Sequence, residues 1–404
     1  MTPHGLLIRG GDVVTPQGLQ RGIDVRLDDG SISRVGPGLS SADARVIEAR
    51  GLVVAPGFID IHVHGAGGAM CESGDATQVE TISATLARCG VTGFLPTIAT
   101  LPPEALRRAV RAVADTAGHE SGARILGIHL EGPYLNPHCA GAQSVAAMRP
   151  PSIEEFDALY ELSGGLIRLV TVAPEIDGCL PFIRAVRARG VIVAAGHSNA
   201  TQAEMEMAIA AGVTHVTHLF NAMRPLHHRE PGILGVALAN DRLSAELIGD
   251  GQHVSEAAVD IALRCKPAAN LVLVSDAVGA LGCPDGDCEL FGVQCRITAG
   301  TVRFKSTGQL AGSCMALDGA VRNLRRWRPQ LALHDLLHMA SWAPAKVVGL
   351  DRQRGSIEPG KEADLVLLNS GLEVDLTFSR GVCVGTTGRG VYEPAPALNK
   401  AGDK

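Results

Sequence analysis

The chain has 404 residues, 46% of them hydrophobic and 19% charged, with a net charge of −6. That length and apolar share fit one large α/β domain with a smaller companion and exclude a disordered chain. The acidic balance argues against a nucleic-acid partner, which calls for a basic patch, and no apolar run reaches the roughly 18–20 residues of a membrane helix.

Residues 1–10 lack a charged segment followed by an apolar core, so no secretory signal is expected. The ten cysteines are scattered without a Cys-x-x-Cys pair, the pattern of reduced thiols in the cytoplasm. Cys283, Cys288 and Cys295 cluster, but without the spacing of zinc ligands.

Strand-like runs at 6–12, 23–27 and 31–35 are separated by Gly and Asp turns, and Asp28-Asp29-Gly30 is a hairpin signal. Residues 46–54 then lead into a Pro56-Gly57 turn. Near the other end, Gly360-Lys361-Glu362-Ala363-Asp364 precedes a strand at 365–368, and another follows at 381–384. Both chain ends are therefore expected to build one small discontinuous β-sandwich domain. It would take residues 1–55 and 353–395, with 396–404 as a tail.

Between them the pattern changes. Apolar runs at 58–61, 93–98, 125–130, 166–172, 191–195, 215–219, 245–248 and 271–275 alternate with Ala-rich segments of helical period at 77–88, 103–116, 180–189, 202–211 and 255–265. Continuous apolar strands alternating with helices mean a parallel sheet buried on both faces. Eight such units predict an α/β fold of the (β/α)8 TIM-barrel type over residues 56–352, with its active site at the C-terminal ends of the strands. Residues 289–304 read as a hairpin insertion, and 317–327 and 333–341 as closing helices.

The strand ends carry the chemistry. The first ends in His62-Val63-His64, and residues two apart on a strand share a face. The third ends in Glu131, the fifth in His197, the sixth in His218 and the eighth in Asp276. Each alone has an ordinary explanation: a strand cap, a helix-dipole partner, a satisfied core histidine. Five strands delivering imidazole or carboxylate to one rim would require five coincidences. These groups are the ligands of a catalytic metal that keeps one position open for water. His129 ranks below Glu131 as a ligand, and His215, at a strand start, is expected to be structural.

His-x-His on the first strand, histidines on the fifth and sixth, and Asp on the eighth resemble the amidohydrolase superfamily. Within it, longer strings resemble the N-acetylglucosamine-6-phosphate deacetylases: HLEGPYLNP at 129–137, AGHSNAT at 195–201, THLFNAM at 217–223, HREPG at 228–232, DGQHV at 250–254 and LAGS at 310–313. The resemblance implies metal-dependent hydrolysis of the N-acetyl group of N-acetyl-D-glucosamine 6-phosphate. Glu131, His197 and His218 match the family's metal ligands, and Asp276 its catalytic acid/base. Ala142, Asn221, Ala222, Arg229, His253 and the run Leu310, Ala311, Gly312 match positions that hold the sugar phosphate. Some of these groups reach across a dimer interface in the family, so a homodimer is implied. The cofactor is a divalent metal, zinc first, with iron, manganese and cobalt compatible with the same donors.

Two departures from the family pattern bear on the chemistry. Some members lack the first-strand pair and use one ion; this chain keeps His62 and His64, so a second ion is expected between them and Glu131. Position 143 is Gln where some members carry a His that polarises the carbonyl; Gln143 can donate but cannot be charged. Cys139, in the loop after Glu131, reads either as a mobile thiol near the substrate or as an incidental cysteine. Three alternatives stay open here. The first is deacetylation of the galactosamine epimer. The second is cyclic-amide hydrolysis, which usually needs a modified lysine at the end of the fourth strand, where 166–175 contain none. The third is an inactive scaffold, which would be expected to have lost ligands that this chain retains.

Overall fold

A computed structural model describes residues 5–386; the predicted tail at 396–404 and the last residues of the second β segment lie outside the described residues. The expected barrel is present. Its strands are Phe58–Val63, Val91–Ile98, Ile128–Glu131, Ile167–Val172, Ile192–Ala195, His215–Val216, Ser244–Ile248 and Leu271–Val274, each parallel to the next. The ring closes beside the active rim, where the Asp276 amide donates to the His62 carbonyl at 2.9 Å and the His64 amide to Ala277 at 2.7 Å. All of Val91–Ile98 and Leu271–Val274 is buried, as continuous apolar strands between a barrel interior and a helical jacket must be.

The helices start where the local chemistry directs. Asp75 accepts from the Thr77 amide ahead of Ala76–Arg88, and Thr201 with Glu204 forms a capping box for Gln202–Ala211. Three helices escape the periodicity reading, the shortest being Trp342–Val347. Gly232–Ala239 is apolar on nearly every side, and a buried helix of that length cannot be told from a strand by period alone. Ile153–Leu162 opens with Ser152 capping the Glu155 amide, a Ser-x-x-Glu signature that was there to be read.

Other differences lie where the chain turns. The sixth strand, expected over 215–219, stops at Val216, because His218, Phe220 and Ala222 take φ values of 25°, 80° and 48°. The hairpin expected at 289–304 is a four-stranded sheet of Gly286–Leu290, Val293–Thr298, Thr301–Phe304 and Leu310–Ser313. Its last strand is stitched to the rim: the Ser313 amide donates to the Asp276 carbonyl at 2.9 Å, and Val278 to Ser313 at 3.1 Å. Gly312, at φ 102°, makes this approach possible, since a Cβ there would lie 2.4 Å from a Val278 methyl.

Both chain ends meet in one eight-stranded sheet. Gly5–Thr15, Gly18–Asp28, Ser31–Gly36, Ala44–Glu48 and Val53–Pro56 come from one end; Leu365–Leu368, Val374–Ser379 and Val382–Thr386 come from the other. The run at 46–54 is thus two strands, broken at Gly51 with φ 81°. Val53–Pro56 joins the two parts by pairing antiparallel with Leu365–Leu368, and Leu27, Val54, Leu365 and Phe378 share a separate apolar cluster. No helix among the described residues is long and apolar enough to cross a membrane.

Candidate active site

The strand-end residues converge. His197 Nε2 and His218 Nε2 each lie 3.0 Å from Glu131 Oε1 and 3.0 Å from one another. On the other side of the same carboxylate, His62 Nε2 is 3.3 Å from Oε1 and His64 Nε2 is 3.2 Å from Oε2. Asp276 Oδ1 is 3.5 Å from His62 Nε2 and 3.6 Å from His64 Nε2. Three groups among the described residues could hold a metal ion: Glu131–His197–His218, His62–His64–Asp276 and His62–His129–Glu246; the Glu131 carboxylate lies between the first two. Donors each about 2.0–2.1 Å from one ion sit roughly 3.3 Å apart at tetrahedral angles, and these separations match.

Local backbone strain aims the ligands. His197, His218 and Asp276 adopt φ values of 46°, 25° and 48°, a left-handed region that non-glycine residues rarely enter and that clusters at functional sites. Bonds at the far ring nitrogen then set each tautomer. His62 Nδ1 donates to Glu246 Oε2 at 2.8 Å, His64 Nδ1 to Glu72 Oε1 at 2.9 Å, and His197 Nδ1 to the Cys139 carbonyl at 2.9 Å. Each leaves Nε2 free for a cation. His62 Nε2 is buried and has no hydrogen-bond partner. An orphaned imidazole nitrogen among carboxylates is what a metal ligand looks like without its ion.

The electrostatics agree. Burial would raise the Glu131 carboxyl, but His62, His197 and His218 reverse this and hold it well below the ordinary carboxylate range. Burial works against charge on His64, yet Glu131 and Glu72 push its imidazolium up to about 10. His62 is likewise raised, against its burial, by Glu246, Glu131 and Asp276. The site thus draws positive charge to the first-strand pair, a demand that a bound cation would also meet.

Ala142, Gln143, Asn221, Ala222, His253, Leu310, Ala311 and Gly312 line one cavity of about 240 Å³ together with His64, Glu131, His197, His218 and Asp276. His62 lies beneath them, fully buried. The Gln143 side-chain oxygen accepts from the Thr100 amide at 2.7 Å, which turns its NH2 toward Glu131, to which it hydrogen-bonds. His253 is held by Asp250 at 2.7 Å. Arg229 is the exception. It is exposed, its guanidinium meets His228 at 2.8 Å, and it does not reach the cavity of its own chain.

His129 and Cys139 resolve differently from the ligands. His129 Nε2 pairs with the Thr171 hydroxyl at 2.8 Å and its Nδ1 lies 3.2 Å from the Ile61 carbonyl oxygen; burial and the neighbouring His62 pull it down to about 3. It is a neutral core histidine. His215, between Ser244 and Glu246, is structural as expected. Cys139 contributes its main-chain carbonyl to His197, while burial and Glu175 raise its thiol. No candidate metal group among the described residues includes a cysteine.

Sequence reasoning missed Glu72, Glu246 and Glu175. Glu175 accepts from Asn136, Ser198 and the Asn199 amide at 2.8, 2.7 and 2.6 Å and so ties the loop after the third strand to that bearing His197. Phe291, on the inserted sheet, packs edge-on against His64 with ring centroids 5.8 Å apart.

Residues 53–384 match the model of the amidohydrolase family. The chain is 38% identical over 384 residues to the N-acetylglucosamine-6-phosphate deacetylase of Bacillus subtilis (strain 168), covering 94% of this chain and 96% of that one. It is 36% identical over 376 residues to the N-acetylgalactosamine-6-phosphate deacetylase of Escherichia coli O157:H7, covering 93% and 98%. Among solved structures, it is similar to a mutant N-acetyl-D-glucosamine-6-phosphate deacetylase from Mycobacterium smegmatis in complex with N-acetyl-D-glucosamine 6-phosphate. The TM-score is 0.88, with 32% identity over 95% of this chain and 100% of that one.

Proposed function

The chain belongs to the amidohydrolase family, and from that premise we propose that it hydrolyses the acetamide of N-acetyl-D-glucosamine 6-phosphate to glucosamine 6-phosphate and acetate. The observation that carries the reading is one cavity in which a bridged His/Glu/Asp ligand set faces the candidate sugar-side residues other than Arg229.

Glu131, His197 and His218 would hold one divalent ion, and His62, His64 and Asp276 would hold a second; zinc is the ion we assign, and iron, manganese and cobalt suit the same donors. Such an ion acidifies water from a pKa of 15.7 to about 7 and polarises an acyl oxygen. The rest is the work of side chains. Asp276 faces the cavity, 14% exposed. It takes the proton of the attacking water and returns it to the nitrogen as the C–N bond breaks, so that amide and water become acetate and amine. Gln143 donates through its oriented NH2 to the acyl oxygen as charge builds there. Asn221, Ala222, His253 and Leu310–Gly312 hold the sugar phosphate.

None of the described residues lining the cavity is Lys or Arg. Arg229 from a second copy would bring the missing guanidinium to the phosphate, so we assign a homodimer. We place the protein in the cytoplasm, since all ten cysteines are free. The domain reading is an inserted barrel at 56–352 within a β unit formed from 1–55 and 353–395.

The galactosamine epimer is a second reading, favoured by the similarity to the E. coli O157:H7 enzyme. Acetate release from both epimers, each with and without the 6-phosphate, decides between them. Faster turnover of the phosphorylated glucosamine derivative is expected; preference for the galactosamine derivative transfers the assignment, and turnover of neither phosphate ends it.

A further inference from the structure

We infer that Glu72 and Glu246 are positioning residues that enable the first-strand histidines to hold the second divalent ion, by placing a negative charge behind each imidazole. The inference rests on the two-ion reading above.

Glu72 belongs to no candidate metal group, and Glu246 groups only with His62 and His129; each stands at the Nδ1 side of one first-strand imidazole, away from the Nε2 that faces Glu131. Glu246 Oε2 accepts from His62 Nδ1 at 2.8 Å and Glu72 Oε1 from His64 Nδ1 at 2.9 Å. The other half of the centre is supported differently. His197 Nδ1 meets a neutral carbonyl, and His218 Nδ1 is buried without a partner. Charged support at the imidazole Nδ1 is thus confined to the half that some family members lack, although Glu246 also accepts from the His218 main-chain amide.

Both carboxylates are fixed from elsewhere in the fold. Glu246 is fully buried in the seventh barrel strand, where it also accepts from His215 Nε2 at 3.2 Å and from the His218 amide at 3.0 Å. Glu72 lies in the turn Cys71–Ser73, 8% exposed, and its Oε1 also accepts from the Ala99 amide at 3.0 Å. Such second-layer carboxylates orient a metal-bound imidazole and raise its basicity.

Charge balance points the same way. Glu131 and Asp276 would touch the ions, and Glu72 and Glu246 stand one imidazole away. Two divalent ions match these four carboxylates. A single ion would leave excess negative charge in a buried site, where unpaired charge is costly. The pair behind the histidines therefore favours the second cation.

Glu72→Gln and Glu246→Gln test this. The side-chain amide keeps the shape and one oxygen that accepts from Nδ1–H while the charge is lost; at Glu246 the NH2 then faces His215 Nε2, which can accept once the His215 tautomer reverses and its Nδ1 donates to the Ser244 hydroxyl oxygen. Metal-free protein is titrated with Co2+ by calorimetry, with bound metal counted. Wild type is expected to take two ions per chain. Each variant should bind the first ion as wild type does and the second about 10–100-fold more weakly, with the melting temperature of the metal-free protein unchanged. A merely structural role would weaken both ions together or lower that melting temperature, and either result overturns the inference. So does a second ion bound as tightly as in wild type by both variants. Saturation of wild type at one ion overturns the two-ion reading itself, before any variant is measured. Should one variant not fold, the other, on a different element, decides.

Discussion

Asp276 is where the account is most exposed to a single substitution. Its carboxylate lies within 3.6 Å of both first-strand imidazoles and still faces the cavity. Asp276→Asn keeps an oxygen donor and loses the proton acceptor, so kcat should fall by about 10²–10⁴, the usual worth of general acid–base assistance, while most of the metal stays bound. Steady-state kinetics on protein of measured metal content checks this; near-normal turnover removes Asp276 from its role. Cys139 is the opposite case. Its carbonyl orients His197 and its thiol is held protonated, so Cys139→Ser should leave kcat and KM within about twofold, since a side-chain change away from the reacting atoms removes no transition-state contact. A large loss would show that the thiol itself acts. The candidate ligands were legible because each sits at the end of an apolar run, where a polar residue needs a reason. Glu72 and Glu246 were not. Glu246 meets its histidine across 184 positions, and nothing local marks either as special.

Among elements, the long periodic ones were read correctly, and Pro103–Thr116, Gln202–Ala211 and Leu317–Trp327 have the bounds expected from the sequence. The helix Gly232–Ala239, which has no polar face, was missed, and the sixth strand was drawn too far into a left-handed turn, because neither shows the alternation on which such reading depends. The closing helix Leu333–Met339 carries a pH-sensitive group. Burial, with neighbouring His334, pulls His338 down to about 4. An unfolded histidine titrates near 6.5, so the unfolded chain takes up this proton first. The stability that neutral His338 confers is present above about pH 6.5, is lost as pH falls toward 4, and levels off below. Urea denaturation at pH 7.5 and pH 5 should show a larger loss for wild type than for His338→Gln; equal losses would contradict this assignment.

At the scale of the whole molecule, the barrel and the return of the chain to its first sheet could be read from the order of apolar runs. A homodimer is implied by the family resemblance alone, and it would give Arg229 a role, since no described residue lining the cavity is Lys or Arg. If Arg229 serves the partner's cavity, Arg229→Ala and Asp276→Asn protomers should complement each other. Mixed and reassociated, they should recover about a quarter of wild-type activity through hybrid dimers with one intact site, whereas either variant alone stays low; no recovery in verified hybrids would place Arg229 outside the site. The central claim is that the bridged ligand set makes this chain a metal-dependent deacetylase of an amino-sugar 6-phosphate. Its most direct test is acetate release from N-acetyl-D-glucosamine 6-phosphate by chelated protein, before and after Zn2+ is restored. Turnover should disappear with the metal and return with it. Full activity in protein shown to be metal-free, or none after both sites are refilled, would contradict it.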